Sequence, residues 1–262
     1  MTQDQIKELL LSIEEATLEF SVTFTGKKSK KVNGLYKPDT HEILLHNKNF
    51  TNEMQLVYTA IHEYAHHLQC EAEGAFRSPR SHSTVFWARF HRLLEKAEKM
   101  GLYRIDVEGN PELALLTAEI REKYLAENGR LMKELGKLLV RAHELCEDAG
   151  IRYEDYIDRI LCLPRTAAKT AVKVGTLDVD PALGYESMKI VAAQPNAERR
   201  AAAEEQFTAG RSPDLVKTEL ARKLDAEDPV ERLAREKIRL EKTIATLTAR
   251  LEQVEKSLKN AQ

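Results

Sequence analysis

The run Ala60-Ile61-His62-Glu63-Tyr64-Ala65-His66-His67-Leu68 holds the spacing H-E-x-x-H. On a helix, residues i and i+4 share a face, so His62 and His66 can present two imidazoles to one cation. Zinc accepts nitrogen, sulfur or oxygen donors in tetrahedral geometry, and two histidines on one helix face suit it. Glu63 projects beside that face, where a carboxylate can take a proton from a metal-activated water and pass it to a leaving amine. A structural zinc site has no need of a carboxylate next to its ligand, so Glu63 points to hydrolysis. The competing explanation is a chance match on a helix with a core histidine. In a chain of this composition it arises only on the order of a few times in a hundred.

A catalytic zinc also needs a third protein ligand and an open position. His82 is the favoured candidate. It follows a loop containing Gly74 and Pro79 and opens the segment RSHSTVFWARF. His67, His91, Glu71 and Glu73 are the alternatives. His67 points about 100° away from His66 around the helix, and His91 lies two turns into the next helix. Tyr36, Tyr64 and Tyr103 are the candidates for steadying an oxyanion, although a buried tyrosine is usually structural.

These residues need elements to hold them. Residues 20–46, FSVTFTGKKSKKVNGLYKPDTHEILLH, alternate apolar and polar positions with turns at Gly26-Lys27 and Pro38-Asp39, which predicts two or three antiparallel strands. Lys27, Lys28, Lys30 and Lys31 then fall at a hairpin tip, where lysines serve solubility. From Thr51 or Asn52, a plausible cap, the period becomes helical through Leu56, Val57, Ala60, Ile61, Tyr64, Ala65 and Leu68. A second helix is expected from about Ser83 to Lys99, ending at Gly101.

IHEYAHHLQ, then SHSTVFWARFHRLLEKAEKMGLY, preceded by GLYKPDTHEILLH, resembles the SprT-type and YgjP-type metallopeptidases. The resemblance spans roughly residues 18–105. It implies a β-hairpin, an H-E-x-x-H helix and a third histidine opening the next helix. Carried over, His62, His66 and His82 match the zinc ligands, Glu63 the catalytic glutamate, and Phe86-Trp87 pack that helix beneath the metal. Ser83 stands where SprT-type sequences usually carry Gly, the gap from His66 to His82 exceeds that of the YgjP type, and no zinc ribbon of paired cysteines follows.

Beyond Asn110-Pro111 the pattern is helical, with breaks expected at Gly150, Pro164, Gly175, Pro181, Pro195 and Gly210, giving short helices rather than rods. LMKELGKLLVRAHELCEDAGIRYEDYIDRILCLPRTAAKTAVKV has a helix–turn–helix rhythm. Arg165, Lys169 and Lys173 share one face, flanked by Thr166 and Thr170, which could meet phosphates or base edges of DNA. The plain alternative is a solvated face on a small helical bundle. Residues 130–222 loosely resemble ParB-like partition proteins. Leu233, Leu240, Leu247 and Val254, interleaved with Ile244, Leu251 and Leu258, form a short a/d seam interrupted at Lys237. That seam suits a homodimer through residues 229–262, or a single docked helix.

Net charge is −2, with 31% charged and 42% hydrophobic residues, and mean hydropathy is −0.46. That balance gives no global attraction to nucleic acid or acidic membranes, so any DNA contact must be local. No apolar run is long enough to span a bilayer. Cys70, Cys146 and Cys162 form neither a disulfide framework nor a CxxC pair, which suits the cytoplasm. The sequence therefore predicts an α+β metallopeptidase domain over 1–105, with a small antiparallel sheet and the H-E-x-x-H helix. A helical, helix–turn–helix-like region follows over 110–225, then a coiled-coil-like helix over 226–262. The expected cofactor is Zn2+ and the expected substrate a protein or peptide. The alternative is a DNA-binding regulator whose metal domain is a non-catalytic scaffold.

Overall fold

The computed structural model describes residues 1–73 and 82–225, together with Lys237, Glu241, Ile244, Thr248 and Leu251 of the tail. Helix α1 (Gln3–Ile13) opens with a capping box between Thr2 and Gln5, which satisfies backbone N–H groups otherwise left without partners. It buries Ile6, Leu9, Leu10 and Ile13. Three short strands follow: β1 (Ser21–Phe24), β2 (Gly34–Lys37) and β3 (Glu42–Leu45).

The sheet corrects the antiparallel expectation. Its order is β1-β3-β2, with β3 antiparallel to β2 but parallel to β1. Alternation tells which face a side chain takes but not which strand lies beside which, so it could not reveal the crossover. The chain leaves β1 on one side of β3 and returns as β2 on the other. Lys27, Lys28, Lys30 and Lys31 therefore lie in this crossing connection and not at a hairpin tip. The true hairpin joins β2 to β3 through residues 38–41, with His41 in the left-handed region at φ 50°.

Helix α2 (Glu53–Glu73) starts where the Asn52 side chain accepts the Gln55 N–H. Its apolar stripe (Leu56, Val57, Ala60, Ile61, Tyr64, Ala65 and Leu68) is buried against α1, the sheet and helix α3 (Thr84–Lys99). Ser83 caps α3 by accepting the Phe86 N–H, and Gly101 (φ 70°) follows its end. Phe86, Phe90, Leu93, Leu94 and Ala97 complete this core. Each large side chain so buried contributes about 1.5–3 kcal/mol, which fixes α2 and α3 firmly against one another.

Residues from Pro111 onward are helical, and the first run reaches the break expected at Gly150 as one rod. Helix α4 (Pro111–Glu119), capped by Asn110, runs through a π turn (Ile120–Ala126) straight into α5 (Glu127–Asp148). Nothing between Pro111 and Gly150 breaks it, and Gly150 stops it at φ 65°. Helix α6 (Tyr153–Asp155) extends as a π turn to Ile160, and the chain then reverses through Cys162, at φ 52°, into α7 (Arg165–Thr176). Gly175 is not a break but lies inside α7, where α7 crosses α5. A Cβ on Gly136 would sit 2.0 Å from the Ala171 carbonyl oxygen, and one on Gly175 2.8 Å from the Gly136 backbone. Leu139, Ile157, Ala168 and Ala171 form the core of this layer. Helices α8 (Tyr185–Ala193), α9 (Ala197–Thr208) and α10 (Pro213–Asp225) follow.

The chain falls into two compact units, Met1–Thr218 and Glu219–Gln262. Most of the heptad seam, including Leu233, Leu240, Leu247, Val254 and Leu258, lies outside the described residues. Ile244 and Leu251 are helical and exposed. Among the described residues no helix is long and apolar enough to cross a membrane.

Candidate metal centre

Helix α2 places His62 and His66 one turn apart, and the start of α3 brings His82 to meet them. His82 Nε2 lies 3.0 Å from His62 Nε2 and 3.2 Å from His66 Nε2. One donor atom from each residue falls within 4.8 Å of the others, so the three histidines are close enough to hold a metal ion. Three nitrogens at roughly 2.0–2.1 Å from a tetrahedral ion sit about 3.3–3.4 Å apart, close to the spacing observed. A neutral imidazole Nε2 either donates or accepts. His82 Nε2 cannot satisfy both facing nitrogens with one proton. The donor chemistry thus fits a cation.

The surroundings keep the two rings on α2 neutral. Burial first, and then the like charge of His82, pushes His62 down to about 4. Burial, then His62 and His82, pushes His66 down to about 3. Both therefore offer lone pairs at neutral pH, as metal binding requires. Aromatic rings fix their planes: Phe86 stacks on His66 at 4.2 Å and Trp87 on His82 at 5.5 Å between centroids. Phe86 and Phe90 both touch His62 edge-on at 5.1 Å.

Glu63 packs against strand β2 and is 7% exposed. Its carboxyl accepts a hydrogen bond from the Tyr36 backbone N–H on β2, yet burial outweighs that bond and lifts its pKa to about 7. Gly34 makes room for it. A Cβ there would lie 2.9 Å from Glu63 Cγ and Oε1 and from Thr59 Cγ2.

The remaining candidates are engaged elsewhere. Buried His67 sets Nε2 against the Leu18 carbonyl oxygen and Nδ1 against the Tyr36 hydroxyl. His91 Nδ1 meets Ser212 Oγ at 2.6 Å, and Glu71 takes Thr17. The Glu73 side chain is outside the described residues. Tyr64 donates to the Glu14 carbonyl, and Tyr103 packs by Tyr58. In the helical region Arg165, Thr166, Lys169 and Lys173 are exposed on α7 and Thr170 is half-buried. Arg165 is paired with Asp158, and the Thr170 hydroxyl bonds the Thr166 carbonyl. Sequence reasoning missed Gly34 and the Tyr36 backbone. The glycine opening a strand was the available signal, since a strand glycine often marks close approach by another group.

No family model, no curated protein and no solved structure matches the chain.

Proposed function

We propose that this chain is a zinc-dependent metallopeptidase in which His62, His66 and His82 hold the metal and Glu63 is the general base. The observation that carries this reading is the convergence of three imidazoles beside a buried carboxyl on the adjacent helical position. When bound, zinc would supply Lewis-acid activation of water and of the scissile carbonyl. His62 and His66, held neutral by burial, leave an approaching divalent ion without competing protons on α2. Glu63, poised at about 7, can both accept and return a proton near neutral pH, as a residue alternating between base and acid must. The Tyr36 N–H keeps that carboxyl aimed. Strand β2 is a sheet edge lying against Glu63, which suits an extended peptide better than a compact small molecule. The resemblance to SprT-type and YgjP-type sequences agrees with each of these roles.

A second reading, DNA contact by α7, is favoured by one observation. Arg165, Lys169 and Lys173 line an exposed face after a tight reversal between two helices. It predicts salt-dependent binding to a DNA duplex, lost in a triple alanine variant at these positions. Self-association through residues 229–262 belongs to the same proposal for the tail.

The test is metal content by mass spectrometry with hydrolysis of fluorescein-labelled casein. About one zinc per chain in wild type and Glu63→Gln, little in His82→Ala, and cleavage by wild type alone would support the peptidase. No zinc in wild type after reconstitution, or full turnover by Glu63→Gln, would sink it.

A further inference from the structure

A second cluster of chemistry-bearing side chains sits one helical turn beyond Glu63, on the sheet side of α2. The His67 ring is fully buried and stacks near Phe20 and Tyr64. Its two nitrogens have different partners. Nε2 lies 3.1 Å from the Leu18 carbonyl oxygen, which can only accept, so Nε2 carries the hydrogen. Nδ1 meets the Tyr36 hydroxyl at 3.2 Å. The same hydroxyl meets His41 Nδ1 at 2.8 Å. The Cys70 thiol, a weaker partner, is also within reach of the phenol.

The result is a continuous hydrogen-bonded chain from the His41 ring through the Tyr36 hydroxyl to His67 Nδ1, with His67 Nε2 donating to the Leu18 carbonyl. It ties together the β2–β3 turn, strand β2, helix α2 and the entry to β1. His41 occupies the left-handed region, uncommon for a residue with a side chain, and its ring bond to Tyr36 holds it there. The same Tyr36 gives its backbone N–H to Glu63. Strand β2 pairs only with β3 in the sheet, so the phenol is a second attachment, to α2, for the residue that carries that N–H.

We propose that His41, Tyr36 and His67 form a positioning relay that locks β2 onto α2 and thereby keeps the Tyr36 N–H on the Glu63 carboxyl. The importance of this relay for turnover rests on the reading of Glu63 as general base, while its existence as a clamp does not. None of the three residues touches the metal ligands' donor atoms, so the relay acts on the base and not on metal affinity.

The test uses the full chain with Tyr36→Phe, which removes only the hydroxyl, and His41→Asn, which removes the ring but tolerates the same backbone. Three quantities are read: amide hydrogen exchange at position 36 by NMR, zinc content, and kcat and KM on fluorescein-labelled casein. Both variants are expected to exchange at position 36 roughly tenfold faster, with Ile43 and Leu45 on the central strand unchanged. Zinc content stays at the wild-type level, and kcat falls roughly tenfold at constant KM. Unchanged exchange at position 36 in both variants overturns the proposal, as does a loss of zinc that tracks the loss of turnover. If zinc-loaded wild type cleaves no casein, the peptidase reading fails, and the exchange rates alone still decide whether the clamp exists.

Discussion

Gly34→Ala is the sharpest perturbation the structure offers, because it acts on Glu63 without touching it. The new methyl carbon would lie 2.9 Å from Glu63 Cγ, Glu63 Oε1 and Thr59 Cγ2. Carbon atoms pack comfortably at about 3.5–4.0 Å, so something must move by roughly 0.5–1 Å. Thr59 is β-branched and buried on the same helix, so it yields little. The motion falls on Glu63 or on β2. Overpacking of this kind costs about 1–3 kcal/mol, or about 2–4 °C in Tm for each kcal/mol in a chain of this size. A catalytic group misplaced by about 1 Å loses on the order of 100-fold in rate. The histidine ligands face α3 rather than β2, so zinc content should hold. The assay is casein hydrolysis beside differential scanning calorimetry and metal analysis. Gly26→Ala is the control: its glycine sits at φ 65° with nothing within 4 Å, so it should lower Tm without altering turnover. A Gly34→Ala protein with wild-type Tm and wild-type turnover would refute the placement of Glu63 against β2.

Acid should weaken the metal-free protein. His62, His66, His67 and His91 are all held below the usual histidine range, with burial the first cause in each. Their folded values lie below the unfolded value of about 6.5. The unfolded chain therefore takes up protons on these four groups first, and they make stability fall as pH drops through about 6.5. Together they outweigh the opposite contribution of Glu63, which the folded state protonates first at about 7. Urea midpoints at pH 8 and pH 5.5 check this, and equal midpoints would contradict it. Arg211 makes two hydrogen bonds to Glu95 on α3 at 2.9 and 3.0 Å, both side chains being mostly buried. Arg211→Ala should cost about 1–3 kcal/mol by chemical denaturation, whereas Arg165→Ala, which removes an exposed pair with Asp158, should change little. Gly136→Ala would force a methyl against the Ala171 carbonyl. It should destabilise the α5–α7 layer by about 1–3 kcal/mol or more, seen as a lower urea midpoint, and an unaltered midpoint would mean that the helices do not cross there.

Much of this protein is written locally. The i, i+4 pairing of His62 and His66, the Asn52 and Ser83 caps, the stop at Gly101 and the buried stripe of α2 follow from residue type and helical period, because neighbours along the chain set them. The presence of two or three strands ahead of α2 was also legible in the alternation. Their order was not, since β1, β2 and β3 would alternate in the same way in either arrangement, and only the packing of α1 and α2 on the sheet selects β3 as its centre. Gly175, expected as a break, lies inside α7 because the Gly136 backbone approaches too closely for a side chain there, and the run from α4 into α5 stayed unbroken up to Gly150 as its residues suggested. Gly129 and Gly136 are retained within it because Pro181 and Ala171 approach too closely for a side chain. The sequence could rank His82 against His67 and His91 as a third ligand, but ring positions depend on where α3 docks. Only the tertiary structure sets His82 at 3.0–3.2 Å from its two partners and turns His67 to Leu18 and His91 to Ser212. Glu63 shows the division most clearly. Its place beside His62 is a fact of the sequence, whereas its elevation to about 7 arises because a glycine on a distant strand leaves room for a carboxyl to be buried.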